Sequence, residues 1–205
     1  MVYYIDFQPK TTSRVHEATE WSITYTYNAP DTTLPRVLLI GDSICNAYQA
    51  RVRDKLDGKV NVSFWASSKC VTDREYFREL DFMLGAYQYD VVTFNNGLHS
   101  LGTNRAEWEA AYTAVLRFIR AKLPDAKLLL VSTTPLKDSR LTAVSAELAD
   151  YAKKTAVSQG LGFINLFAAF MPLDRELYWS DTYHFKPSAV NMQAEIIAGR
   201  VREAL

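Results

Sequence analysis

The chain has 205 residues, and its 23 Lys and Arg balance 23 Asp and Glu. That length fits one domain with a sizeable core, and a zero net charge argues against a general nucleic-acid binder, which needs a basic surplus. Apolar and charged contents of 48% and 22% are those of an ordinary globular protein, and no apolar run approaches the ~18 residues that span a bilayer, so neither nucleic acid nor membrane is an expected partner.

Residues 1–35 are rich in Thr and Tyr and poor in Leu. The start, "MVYYIDFQPK", lacks a basic head followed by an apolar core, so no signal peptide is expected. The compartment is cytoplasmic on that reading, or exported if a leader has been trimmed. "WSITYTYNA" alternates and holds β-formers, which predicts a strand, and "PDTTLP" predicts a loop. The segment reads as an N-terminal extension packed on a main domain of residues 36–205, either capping the site or burying a sheet edge.

From Arg36 a regular alternation begins. "RVLLIG" is a short apolar run suited to a strand buried on both faces. Ile44, Tyr48, Val52 and Leu56 follow at helical spacing. "KVNVSFWA" predicts a second strand, and Phe77, Leu80, Leu84 and Tyr87 a helix opening near Asp73. "YDVVTFN" is the third strand; Trp108, Tyr112, Val115 and Ile119 mark a long helix ended by "LPDA". "KLLLVST" is the fourth strand, and Leu141, Val144, Leu148 and Tyr151 a helix closed by Gly160. "GFINLF" is the fifth strand, and the last helix opens after Pro187. Five strands alternating with five helices predict a three-layer α/β/α sandwich with a five-stranded parallel sheet. Ligands of such sheets bind beyond the carboxyl ends of the strands, so the residues there carry the functional reading.

"GDSICNAY" follows the first of these strands. Ser43 there is either a helix cap accepting a backbone N–H or a nucleophile at a helix start, where backbone N–H groups steady an oxyanion. "ASSKCVTD" follows the second, "NNGLHS" the third, and "STTPLKDSR" the fourth. The fifth leads into a long polar stretch that delivers Asp181 and His184. A serine needs a base to take its proton, an imidazole is the usual base, and a carboxylate fixes the imidazole's tautomer. A D-x-x-H turn lets one loop supply both, and the sheet edge brings that loop to Ser43. The G-x-S-x-G elbow of the α/β-hydrolases is absent.

"GDS" at 41–43 and "DTYH" at 181–184, at opposite ends of a five-strand rhythm, resemble the first and last blocks of the SGNH (GDSL-type) hydrolases. The resemblance covers about residues 36–205. It implies Ser43 as nucleophile, His184 as general base and acid, Asp181 as its orienting partner, and no metal or cofactor. It also implies an oxyanion hole made of the serine N–H, a glycine N–H after the second strand and the asparagine of G-x-N-D after the third. Both later donors depart from the pattern. "SSKC" puts Lys69 where glycine is expected, leaving its backbone N–H as donor. Aligned on Gly97, "GLHS" puts His99 at the asparagine, with Asn95 in support; alternatively Asn95 or Asn96 donates and His99 meets substrate. Asn96, Trp179 and Tyr183 are expected on the substrate side, the last two because they flank Asp181 and His184. Trp65 and Trp108 read as packing or as sugar platforms.

The implied activity is hydrolysis of a small acyl ester or acylated carbohydrate through an acyl-enzyme. A ligand-binding module of the same fold and an O-acyltransferase are the alternatives. Cys45 and Cys70 read as free thiols, with a bridge between the two site loops as the other option, and three scattered histidines form no metal pattern. The sequence carries no signal of oligomeric state.

Overall fold

The computed structural model describes residues 2–205. Its centre is a six-stranded sheet in the order β1-β3-β2-β4-β5-β6. Strands β2 (Arg36–Gly41), β3 (Asn61–Ser67), β4 (Val91–Phe94), β5 (Lys127–Val131) and β6 (Gly162–Ile164) run parallel. The five expected parallel strands are there, but the sheet has a sixth. Strand β1 (Ser22–Thr26), from "WSITYTYNA", lies antiparallel on β3, with Ser22 opposite Ser67 and Thr26 opposite Ser63. It covers an edge that β3, buried along its whole length, would otherwise leave unpaired.

Side chains of β2 alternate between two cores, as a period of two requires. Val37 and Leu39 pack with Ile44, Tyr48 and Val52 of α1 (Ser43–Leu56) and with Ile197 and Val201 of α7 (Pro187–Ala204). Leu38 and Ile40 pack on the opposite face with Phe77 and Leu80 of α2 (Arg74–Leu84). That face also takes Trp108 and Val115 of α3 (Arg105–Lys122) and Leu148 of α4 (Ser139–Gln159). Helix α4 stops at Gly160, whose φ of 65° is the left-handed cap that glycine adopts without cost. Among the described residues no helix is long and apolar enough to cross a membrane.

Two local expectations are corrected. "GFINLF" leaves the sheet after Ile164, because Asn165 caps α5 (Leu166–Phe170) through an Oδ1 that accepts the Ala168 N–H at 2.9 Å. The following polar stretch also folds a turn of helix, α6 (Arg175–Tyr178), capped by Asp174. Trp65 and Trp108 are buried, so neither is a surface platform.

The N-terminal segment is tied down by Arg14, which is buried against charge and carbonyls from three loops. Its guanidinium donates to Glu20 at 2.9 Å, Asp73 at 2.8 Å, the Ser68 carbonyl at 2.9 Å and the His99 carbonyl at 3.3 Å. Partial burial raises the Glu20 carboxyl, but hydrogen bonds from Ser68 and Arg14 outweigh it and hold the group down at about 2. The segment is thereby fixed across the loops that follow β3 and β4.

Candidate active site

The central strand β2 has β3 on one side and β4 on the other, so the chain reverses direction across the sheet beyond its carboxyl end, where open α/β sheets bind ligands. Gly41 ends that strand. A Cβ there would lie 2.5 Å from the Cβ of Cys45, so glycine lets α1 start hard against the sheet. Asp42, buried, is the cap: its Oδ1 accepts the Ile44 N–H at 2.9 Å. Ser43 therefore stands at the first helical position, relieved of the capping role that its sequence also allowed. Its N–H is one of the first-turn donors that a helix cannot satisfy internally.

His184 and Asp181 arrive from the loop before α7. His184 Nε2 lies 2.9 Å from Ser43 Oγ, and Nδ1 lies 2.9 Å and 3.1 Å from the two oxygens of Asp181. The same carboxylate accepts the N–H groups of Tyr183 and His184, each at 2.8 Å, and Ser180 N–H closes the turn on the His184 carbonyl at 2.9 Å. Partial burial raises Asp181, but the His184 and Tyr183 N–H groups and the imidazole more than offset it and leave the group below the usual carboxylate range. An ionised carboxylate only accepts, so the proton of a neutral ring sits on Nδ1 and the Nε2 lone pair faces the serine. That is the tautomer a general base requires.

Over Ser43 opens a cleft of about 420 Å³, lined by Glu17, Leu98, His99, Leu101, Gly102 and Tyr183. Tyr183, 41% exposed, stands on its wall. Trp179 does not. It is 1% exposed, its Nε1 donates to the Pro135 carbonyl at 3.2 Å, Phe185 packs on it with centroids 4.5 Å apart, and Arg175 lies over its ring at 4.2 Å. It supports the loop that carries Asp181 and His184 and has no face left for a ligand.

Asn96 is also buried and tied to the loop after β3, its amide donating to the Lys69 carbonyl at 2.9 Å and its oxygen accepting the Val71 N–H at 3.1 Å. It braces the loop after β3 and is withdrawn from substrate. Within that loop the N–H of Lys69 already donates to Ser67 Oγ at 3.1 Å, and its ammonium pairs with Glu79 at 2.9 Å. The expected glycine-like donor is thus occupied. Asn95, at the end of β4, uses Nδ2 to donate to the Val131 carbonyl at 2.9 Å, which leaves one amide hydrogen. It lines a small space beneath α1 together with Asp42 and Ile44.

His99 lies in the cleft, but its Nδ1 is 2.5 Å from Glu17 Oε1. With that proton on Nδ1, a neutral ring presents an acceptor at Nε2, not the N–H donor an oxyanion needs. Glu17 itself was invisible to sequence reasoning. It sits in an irregular segment, and only Arg14 and its partners carry it to the site. Cys45 and Cys70 are free and buried; burial pushes the Cys45 thiol up to about 12 and Cys70 up as well, so neither is a reactive thiolate.

The fold has solved relatives. The acetyl xylan esterase AlAXEase superposes with a TM-score of 0.70 at 17% identity, covering 81% of this chain and 99% of that one. A catalytic mutant of an acetylxylan esterase from Geobacillus stearothermophilus gives 0.67 at 18% identity, covering 83% and 94%. A GDSL-like lipase from Bacteroides thetaiotaomicron gives 0.67 at 14%, covering 83% and 89%. No curated protein matches the sequence. The sequence model of one family does match, over residues 22–190, a span that starts at β1 and holds Ser43, Asp181 and His184. The chain belongs to the GDSL-like lipase/acylhydrolase family.

Proposed function

We propose that this ester hydrolase cleaves small acyl esters, acetyl groups on carbohydrate in particular, with Ser43 as nucleophile, His184 as general base and acid, and Asp181 holding the imidazole. The observation that carries the reading is the unbroken chain from Ser43 Oγ through His184 to Asp181, with both links at 2.9 Å. In the first step Ser43 Oγ attacks the ester carbonyl while its proton passes to Nε2. The tetrahedral intermediate collapses as His184 returns that proton to the departing alcohol. Water then enters, gives a proton to His184 as it attacks the acyl carbonyl, and His184 returns that proton to Ser43 Oγ as the acid departs.

The oxyanion falls to the Ser43 N–H and the free amide hydrogen of Asn95. On this reading the family's G-x-N-D pattern lies on Thr93–Asn96, with threonine at the glycine position, rather than starting at Gly97. The asparagine is then present, and the departure at His99 disappears. Acetylated sugar is favoured by the carboxylate of Glu17 and the ring of Tyr183 in the cleft and by the acetylxylan esterases among the structural relatives.

Turnover of p-nitrophenyl acetate tests the reading. Ser43→Ala should lower kcat by at least ~10³-fold. Equal background rates for the two proteins, both folded and tried on longer esters too, would overturn it. Product formation only with an added sugar acceptor would make the enzyme an O-acyltransferase instead.

A further inference from the structure

The cleft over Ser43 has a second wall that ester cleavage does not use. Glu17 stands there on the N-terminal segment, its side chain 45% exposed and facing the same cleft as Ser43 and Tyr183. It is anchored three times over. Its Oε1 accepts from His99 Nδ1 at 2.5 Å, the Arg14 guanidinium is 4.0 Å away, and its own N–H donates to Glu20 at 2.9 Å. Arg14 also holds the His99 carbonyl, so the histidine and the carboxylate are fixed to one support. The other His99 nitrogen, Nε2, is buried without a partner, so the ring's one polar contact is the hydrogen bond that Nδ1 makes to Glu17. Among the described residues the Oε2 of Glu17 has no partner. A preorganised carboxylate with one free oxygen thus faces the nucleophile's cleft.

We propose that Glu17 reads the alcohol part of the ester, accepting a hydrogen bond from a free hydroxyl of a polyhydroxy alcohol, and that His99 is its positioning residue. This rests on the reading of Ser43 as the ester-cleaving serine. A fixed carboxylate is a strong acceptor for a hydroxyl, and a site built for a hydroxyl discriminates against alcohols that lack one. It also repels anionic alcohols, so neutral sugars fit better than uronates or phosphorylated sugars.

The test uses Ser43→Ala protein, which retains the cleft without turnover. The probe is a monoacetylated methyl β-xyloside with its other hydroxyls free, titrated by calorimetry. In that background Glu17→Ala should raise Kd by about 10-fold or more, Glu17→Gln by less, and His99→Ala in the same direction. In active protein, Glu17→Ala should lower the ratio of kcat/KM for the xyloside over p-nitrophenyl acetate by a similar factor, mainly through KM. A Kd unchanged by Glu17→Ala, or no binding of the xyloside at all, overturns the proposal. So does an equal loss of kcat on both substrates, which is the mark of a merely structural Glu17. A loss of about 10²-fold in aryl acetate turnover from His99→Ala would make that ring the oxyanion donor and likewise end it. Failure of the esterase reading shows separately, as equal aryl acetate rates with and without the Ser43 hydroxyl.

Discussion

A serine hydroxyl at a helix start is inert until a neighbour takes its proton, and here the neighbour is oriented by a carboxylate that also builds the turn it stands on. Asp181 accepts two backbone N–H groups and the imidazole together, so the residue that sets the tautomer also sets the ring's position. The residues of this proposed triad were legible because GDS and DTYH are local patterns that survive without knowledge of packing. The proposed oxyanion donor, Asn95, stood in the sequence only as one candidate beside Lys69, His99 and Asn96. Gly97 invites alignment as a functional glycine, but a Cβ there would collide with the Thr133 side chain, so it is glycine for close packing. Moving the register to Thr93–Asn96 gives the prediction at this scale. Asn95→Ala should lower kcat on p-nitrophenyl acetate by ~10²-fold with KM little changed. A loss below about threefold would remove Asn95 from the oxyanion hole.

Among the elements, the long strands and helices follow from their apolar periods, whereas the pieces that shape the site are too short to show one. Helices α5 and α6 span five and four residues and are held by their Asn165 and Asp174 caps rather than by an apolar stripe. Trp179 read as a pocket wall because a buried and an exposed tryptophan look alike in an irregular stretch. Strand β1 was legible as a strand, but its antiparallel pairing with β3 is a long-range fact. The segment before it depends on the Arg14 cluster, and this carries a stability prediction. Glu20 is held at about 2, below its ordinary 4.5, so its contribution is complete above pH 4.5 and is lost as pH falls toward 2. Glu20→Gln should cost about 1–3 kcal/mol at pH 7. The gap in Tm from wild type should narrow between pH 4.5 and pH 2. Asp73, which burial pushes up, is present in both proteins and largely cancels in the comparison. A gap in Tm that stays constant across that range would contradict the account of Glu20.

For the molecule as a whole, the decisive feature is that distant parts of the chain share one edge of one sheet. Helices α1 and α7 lie in the same apolar layer against Val37 and Leu39, and each begins beside a residue of the proposed triad. The packing that buries Val52, Ile197 and Val201 therefore also brings Ser43 within 2.9 Å of His184 across 141 residues of sequence. The alternation of strands and helices was enough to predict that sheet edge. It was not enough to predict which loops would cross it, and so Glu17 and its pairing with His99 came only from the coordinates. The central claim is that Ser43 is activated by His184. Labelling with a fluorophosphonate, followed by peptide mass spectrometry, addresses it without any assumption about substrate. One adduct, on Ser43, that disappears in His184→Ala is the predicted result. Modification of a different residue, or labelling of Ser43 at the same rate without His184, would contradict it.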